Sequence, residues 1–168
     1  MVNLKVATDG NEEQALALAA AVEGDSEHVI AKAIRQAAQE RQLALPTISN
    51  FEAIKGRGAQ ATYNGETVYV GGPRLLEMLR LTPASEFQSF VTDAESAGQT
   101  VDYLVVDKAV VAAFALADII RAESKQAIAR LHEQGIEVVM LTGDSKAVAK
   151  AVADQLGMDR FIAEVLPE

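Results

Sequence analysis

Residues 51–72 read FEAIKGRGAQATYNGETVYVGG, and they carry the clearest fold signal in the sequence. Asn64 and Gly65, at their centre, separate two runs rich in residues that favour strands. Asn-Gly is the strongest short-range hairpin signal, because a type I′ turn requires a positive φ at both central residues. We therefore predict a β-hairpin that turns at residues 64–65.

Two helices are predicted before this hairpin. Residues 11–23 can form a helix that Asn11 caps and Gly24 ends. A second helix follows after a short link, with Asp25 or Ser26 as its cap, so the two helices should form an antiparallel αα-hairpin. The apolar residues of the second helix recur at the spacing of one buried face: Ile30, Ala33, Ile34, Ala37 and Ala38.

Further helices and strands are predicted after the hairpin. Pro73 suits the first turn of a short helix, and residues 83–97 form another. Residues 103–117 favour a second hairpin that turns near Asp107 and Lys108. An antiparallel sheet covered by helices places this part of the chain in the α+β class.

The pattern changes after Asp118 to the alternation typical of an α/β fold. Residues 123–135 predict a helix with Ala127, Ile128 and Leu131 turned inward. The continuous apolar run in residues 136–144 favours a parallel strand buried on both faces.

A second helix and a second strand complete this segment. Residues 145–157 predict the helix and residues 160–168 the short strand. We place a domain boundary near residue 117, giving domains 1–117 and 118–168. Because a doubly wound sheet of two strands cannot bury both faces, the second domain is expected to be an incomplete α/β unit.

Composition excludes several classes of protein. Cysteine is absent, so there is neither a disulfide framework nor a thiolate metal site, and no apolar run approaches the length of a membrane span. The formal charge of −9 disfavours nucleic acid as a partner. His28 and His132 are the only histidines, which argues against zinc.

The stretch VVMLTGD, residues 138–144, predicts a ligand site. Ligands of open α/β sheets bind beyond the carboxyl ends of the strands, where Thr142 offers a hydroxyl and Gly143 permits close approach. Asp144 could face a nucleotide, and the following helix N-terminus suits phosphate. The alternative is a plain strand–turn–helix in which Asp144 only caps the helix.

Three other groups of residues each have a structural and a functional interpretation. Glu27 and His28 stand at a helix N-terminus, where a carboxylate also simply complements the helix dipole. Residues 118–121, DIIR, could merely begin a helix. The glycines either let backbone lie against a ligand or permit turns and bulges: Gly56, Gly58, Gly71 and Gly72.

Taken in order, these stretches resemble one family across nearly the whole chain. The family is the heavy-metal-transporting P-type ATPases, the copper exporters in particular. The stretches that carry the resemblance are SEH with AKAI, FEAIKGRG, VYVGGPRLL, LADIIRAESKQAI, VVMLTGD and AEVLPE.

The resemblance implies an ATP site in a nucleotide-binding domain, followed by part of a phosphorylation domain of the haloacid-dehalogenase type. Glu27 would accept a hydrogen bond from the adenine amino group, and His28 would stack on the ring or form a hydrogen bond near it. The remaining contacts would come from the glycines and from the second domain: Gly56 and Gly58 beside the base, Gly71 at the sugar and phosphates, Asp118 and Arg121 at the ribose and phosphates, and Thr142, Gly143 and Asp144 at the phosphate end. Gly72 belongs to the same nucleotide site.

The sequence also departs from the family. Val29 stands where proline is usual, and Gly72 where asparagine is usual. The Asp-Lys-Thr-Gly-Thr stretch with the phosphorylated aspartate does not occur, nor do the lysine and the Gly-Asp-Gly that serve phosphate and Mg²⁺. We therefore expect a segment that binds ATP without hydrolysing it alone.

The resemblance implies a soluble segment at the cytoplasmic face of a membrane pump. Its partners would be ATP and the rest of the pump, including the membrane and actuator domains, while Mg²⁺ would serve the parent protein. One alternative is a regulatory or scaffold relative that has lost nucleotide binding. A soluble phosphatase of the haloacid-dehalogenase type is a lesser alternative, which the missing nucleophile disfavours.

Overall fold

The computed structural model describes residues 2–24, 26, 29–117 and 122–165. The chain forms two compact units. The first contains Met1–Val91 and Val101–Leu116, and the second contains Thr92–Thr100 and Ala117–Glu168.

The first unit is built on a six-stranded sheet, with strand order β1-β6-β5-β4-β3-β2. The strand pairings described for it, β1 with β6, β2 with β3, β3 with β4 and β4 with β5, are antiparallel. The elements follow one another as β1 (Val2–Val6), α1 (Glu12–Val22), α2 (Val29–Glu40), β2 (Ser49–Ile54), β3 (Gly58–Tyr63), β4 (Glu66–Gly71), α3 (Pro73–Leu79), a 3₁₀ turn (Ser85–Phe87), α4 (Gln88–Ser96), β5 (Gln99–Val106) and β6 (Ala109–Ala117).

Both predicted hairpins are confirmed. Asn64 and Gly65 connect β3 to β4 with φ angles of 51° and 84°. Asp107 and Lys108 connect β5 to β6 with φ angles of 44° and 64°. Positive φ at both central residues is the conformation of the type I′ turn, which matches the twist of the flanking strands.

The core of the first unit lies between α1, α2 and one face of the sheet. All residues of α1 from Ala15 to Val22 are buried. A helix that is apolar on every side must be covered on every side, and its small alanines allow close packing. Ile34 and Ala38 bring the buried stripe of α2 into the same core.

The start of α1 agrees with the sequence. The side chain of Asn11 accepts a hydrogen bond from the Gln14 amide, as predicted for a cap. Helix α2 is described from Val29, and the two residues before it lie outside the described residues, so the predicted cap at Ser26 stays a prediction. The other predicted cap, Asp25, lies outside the described residues.

The second unit contains a two-stranded parallel sheet with two helices. Strand β7 (Val139–Leu141) pairs with β8 (Arg160–Ile162), and the helices are α5 (Ala122–Glu133) and α6 (Lys146–Leu156). The predicted α+β domain followed by an incomplete α/β segment is thus confirmed.

One prediction for this unit is wrong. Residues 136–144 were expected to form a strand buried on both faces, yet the strand covers only Val139–Leu141 and Leu141 is 65% exposed. With two strands in the described sheet, no second layer covers that face. Ala127, predicted to turn inward, is exposed as well, whereas Ile128 is buried.

Candidate functional site

The first part of the predicted site is the turn between β2 and β3. Gly56 has a φ of +70°, and a Cβ at this position would meet nothing within 4 Å. Gly58 opens β3 with a φ of +135°. Both angles favour glycine, but only Gly56 faces open space.

Gly58 and Gly71 lie backbone against backbone. A Cβ on Gly58 would stand 2.0 Å from the carbonyl oxygen of Val70, and a Cβ on Gly71 would stand 2.1 Å from the carbonyl oxygen of Arg57. These distances exclude any side chain, so the structural interpretation accounts for both glycines. Their contact also fixes the β2–β3 turn against the end of β4.

Gly72 follows Gly71 in sequence and lies next to strand β5. It precedes α3 in extended conformation, and no side-chain hydrogen bond caps the helix there. A Cβ on Gly72 would lie 3.3 Å from Oδ1 of Asp102, on β5. The Asp102 carboxyl group therefore occupies the space beside position 72.

Asp102 and Glu23 are the buried acidic residues of the described chain, 6% and 4% exposed. Burial, and then the charge of Glu23, raises the pKa of Asp102 to about 7. Low polarity disfavours the charged form of a carboxyl group, and a neighbouring carboxylate disfavours it further. The charge of Glu23, at the end of α1, therefore acts on Asp102.

The link between α1 and α2 is held by Arg35. Its guanidinium Nη1 donates to the backbone carbonyls of Glu23 and Ser26, the latter at 2.8 Å. Glu27 and His28, the predicted adenine contacts, lie outside the described residues. Their described neighbours are Ser26 and Val29. Ser26 lies in the link that Arg35 holds, and Val29 is the first residue of α2.

The second unit contains the predicted phosphate loop after β7. The Thr142 hydroxyl donates to Asp144 Oδ2 at 2.6 Å, and the Asp144 amide donates to Thr142 Oγ1 at 3.1 Å. Ser145 caps α6 by accepting from the Val148 amide, so the alternative in which Asp144 is the cap is wrong.

Backbone bonds from β8 and the residues after it fix this loop. The Thr142 amide donates to the carbonyl of Ile162, the Val165 amide donates to the carbonyl of Thr142, and the Glu164 amide donates to the carbonyl of Asp144. A Cβ on Gly143 would lie 3.3 Å from the Val165 carbonyl oxygen. The loop is thus an ordered Thr-Gly-Asp turn with one carboxylate already hydrogen-bonded.

Two further predicted contacts, Asp118 and Arg121, lie outside the described residues. Within the described ranges, no three histidine, cysteine, aspartate or glutamate side chains cluster as metal ligands would. None of the described helices is long and apolar enough to cross a membrane.

Sequence reasoning missed Asp102 and Glu23. The available signal was an aspartate inside the strand-like run TVDYLVV, where a charge breaks an otherwise apolar pattern. Glu23 gave no such signal, because a glutamate in the last turn of a helix is ordinarily exposed.

A family model described as haloacid dehalogenase-like hydrolase matches residues 5–168. The chain therefore belongs to this family. It is 39% identical over 156 residues to a probable copper-exporting P-type ATPase V of Mycobacterium tuberculosis (strain ATCC 25618 / H37Rv), across 93% of this chain and 20% of that protein. It is 38% identical over 157 residues to a copper-exporting P-type ATPase of Staphylococcus aureus (strain MRSA252), across 94% of this chain and 20% of that protein.

Solved structures agree with these relatives. A zinc-transporting PIB-type ATPase in its E2.Pi state superposes with a TM-score of 0.65 at 37% identity, over 99% of this chain and 27% of that one. The catalytic domain of a CPx-ATPase shares the fold with a TM-score of 0.68 at 20% identity, over 96% of this chain and 55% of that one. The predicted resemblance to heavy-metal-transporting P-type ATPases is confirmed, and the chain spans about a fifth of the length of the curated relatives it matches.

Proposed function

We propose that the first unit is the ATP-binding domain of a heavy-metal-translocating P-type ATPase. The observation that carries this proposal is the convergence of separate predicted site segments at one end of the sheet. The β2–β3 turn meets the end of β4 at Gly58 and Gly71, and Gly72 meets Asp102 on β5. The charge of Glu23, at the end of α1, acts on Asp102. In sequence, Glu23 is followed by the link that contains Glu27 and His28.

The proposed nucleotide contacts follow the resemblance with one refinement. Glu27 accepts a hydrogen bond from the adenine amino group, and His28 lies against the ring. Gly56 leaves open space beside its backbone, so it suits a flat base. Gly58 and Gly71 act through their mutual contact, which holds the turn in place and keeps side chains out of the floor of the site.

In the second unit, we propose the ordered turn Thr142–Gly143–Asp144 as a phosphate contact. The hydroxyl and amides of this turn lie beyond the carboxyl end of β7 and before the N-terminus of α6. This is where open α/β sheets bind ligands and where a helix dipole favours an anion. Asp118 and Arg121 are proposed as further contacts to ribose and phosphate.

The parent protein is proposed to be a copper exporter, as the names of the curated relatives suggest. The segment would then work at the cytoplasmic face of the membrane, with the membrane and actuator domains of the pump as partners. Exposed apolar side chains on β7 and β8, Leu141 and Ile162, are a surface that further parts of the pump could cover.

We further propose that this segment alone does not turn over ATP. Phosphoryl transfer in a P-type pump requires an aspartate nucleophile and Mg²⁺ that bridges the phosphates. The sequence has no Asp-Lys-Thr-Gly-Thr stretch, and the resemblance assigns Mg²⁺ to the parent protein.

Calorimetric titration with ATP tests the assignment of the adenine site. Glu27→Ala and His28→Ala should each weaken ATP binding by about tenfold, the loss of one hydrogen bond or ring contact to a ligand. Glu66→Ala is the matched control, since Glu66 is an exposed glutamate at the turn of the β3–β4 hairpin. Equal affinity in all four proteins would remove Glu27 and His28 from the site.

One observation favours the alternative of a scaffold that has lost nucleotide affinity. Gly72 has no side chain to offer a ligand, and the Asp102 carboxyl group occupies the adjacent space. If this alternative holds, neither ATP nor ADP binds at millimolar concentration while the fold remains intact.

A further inference from the structure

Arg35, on helix α2, reaches back to the end of helix α1. Its guanidinium nitrogen Nη1 donates to two backbone carbonyl oxygens, that of Glu23 and, at 2.8 Å, that of Ser26. The Ser26 amide donates to the same Glu23 carbonyl at 3.1 Å, which closes a turn directly after α1. Because Nη1 carries two N–H groups, it can satisfy both carbonyls at once. Arg35 therefore connects the two ends of this turn.

Helix capping explains only one of the two bonds. The last carbonyl groups of a helix have no partner within the helix, and a cation at that end complements the helix dipole. Glu23 is the C-cap residue of α1, so the bond to its carbonyl fits this role. Ser26 lies three residues after Glu23 and belongs to no helix. The bond to its carbonyl therefore restrains the link between the helices.

The guanidinium group is supported by a part of α2 that is fixed in the core. Arg35 itself is half-buried, and its neighbour Ile34 is fully buried between α1, α2 and the sheet. In sequence, Glu27 and His28 follow Ser26 directly. The restrained carbonyl of Ser26 thus immediately precedes the two proposed adenine contacts.

We propose that Arg35 is a positioning residue of the nucleotide site. By holding the carbonyls of Glu23 and Ser26, it restricts the link, so that Glu27 and His28 are presented to the adenine ring before the ligand arrives. The inference rests on the proposed ATP binding by the first unit. A site that is ordered in advance binds more tightly, because binding does not have to order the chain.

ATP affinity in variants of Arg35 tests this inference. Arg35→Met keeps a long aliphatic side chain without donors, and its affinity for ATP should be lower by about three- to tenfold. Arg35→Lys should recover part of this loss, since an ammonium group has three donors on one nitrogen. Arg41→Met is the matched control, because Arg41 is an exposed arginine directly after α2. It removes the same charge and should bind ATP like the unmodified chain.

A double-mutant comparison separates positioning from a general effect of charge or stability. If Arg35 acts through Glu27 and His28, Arg35→Met should weaken ATP binding by less than about twofold in a chain that already carries Glu27→Ala and His28→Ala. An NMR titration can follow the weaker binding of these chains. An equal loss in both backgrounds would overturn the positioning role.

Amide hydrogen exchange in the free protein tests the restraint without nucleotide. In Arg35→Met, the Ser26 amide should exchange several times faster, because the turn that it closes has lost a restraint. The Gln14 amide, bonded to Asn11 at the other end of α1, should keep its rate. Unchanged exchange at Ser26 would overturn the inference even if ATP binds.

The remaining outcomes separate the inference from the proposed function. Equal ATP affinity in the unmodified chain and in Arg35→Met overturns the positioning role and leaves the proposed function in place. Absence of ATP binding by the folded, unmodified chain overturns the proposed function and the positioning role with it.

Discussion

Gly58 and Gly71 face each other so closely that a Cβ on Gly58 would lie 2.8 Å from the Cα atom of Gly71. Two glycines separated by a hairpin thus form one contact, and the contact joins the β2–β3 turn to the end of β4. A glycine in a ligand-binding motif can therefore act indirectly, by holding the backbone of the binding site in place.

We expect Gly58→Ala and Gly71→Ala to destabilise the first unit by at least about 2 kcal/mol each, because the new methyl group would meet backbone that cannot move aside. Gly56→Ala is the control. Its φ of +70° also favours glycine, but the space is open, so its cost should be about 1 kcal/mol. Denaturant unfolding measures all three, and equal losses would show that the contact does not matter for stability.

The buried Asp102 should make stability depend on pH. Its pKa rises from 3.8 to about 7 on folding, so the folded state binds the proton more tightly than the unfolded state between these values. Stability therefore falls as pH rises from about 4 to 7 and is lower by a few kcal/mol, in order of magnitude, at and above pH 7.

We expect Asp102→Asn to raise the thermal midpoint at pH 8 and to change it little at pH 4, where Asp102 is neutral in both states. Midpoints measured at both pH values check this. An equal shift at pH 4 and pH 8 would mean that packing, and not ionisation, decides the effect.

A second carboxylate acts with the opposite sign. Asp159 Oδ2 accepts from the Val138 amide at 2.8 Å and lies 2.9 Å from Nε2 of His132. The Val138 bond, followed by the His132 contact, lowers the pKa of Asp159 below 3.8. Its contribution to stability is therefore present above the unfolded pKa and is lost as pH falls through the folded one.

For Asp159→Ala, we expect faster hydrogen exchange at the Val138 amide at neutral pH, because that amide loses its acceptor. The unmodified chain should lose the same protection, relative to intrinsic exchange rates, only as pH falls through the lowered pKa of Asp159. Asp154→Ala is the control, since Asp154 is 65% exposed in a surface pair with Lys150. Unchanged Val138 exchange in Asp159→Ala would contradict the assigned role.

Turnover gives a further prediction. Incubation with γ-labelled ATP and Mg²⁺, followed by an acid quench, should leave no label on the chain, because the sequence contains no Asp-Lys-Thr-Gly-Thr stretch to supply the nucleophile. A hydroxylamine-sensitive label would identify an aspartate of this chain as a nucleophile and contradict the proposal that the segment binds ATP without turning it over.

The sequence predicted the elements that contain strong local signals. The hairpin was predicted from Asn64-Gly65 and the strand-like runs on either side of it. Helix α1 was predicted with Asn11 as its cap. Strands β1 and β2 were not predicted. Strand β2 is exposed at nearly every position, so it has no alternation of buried and exposed residues, and β1 is only five residues long.

Tertiary relationships explain the other differences. The apolar run around Val139 predicted a buried strand, but burial depends on a second layer that the described sheet lacks. Likewise, the charge of Glu23 acts on Asp102 although the two residues are about eighty positions apart in sequence, and no local pattern contains this effect. The glycine motif singled out Gly58 and Gly71, but their close backbone contact is visible only in the structure.

Amide chemical shifts during a titration with ATP test nucleotide binding most directly. We predict saturable shifts at Glu27, His28 and the four glycines of the first unit, Gly56, Gly58, Gly71 and Gly72, with weaker shifts for GTP, which lacks the adenine amino group. Residues of the β5–β6 turn, Asp107 and Lys108, should not shift and serve as the internal control. No shift at these six positions at millimolar ATP, in a chain whose spectrum shows it to be folded, would contradict the account.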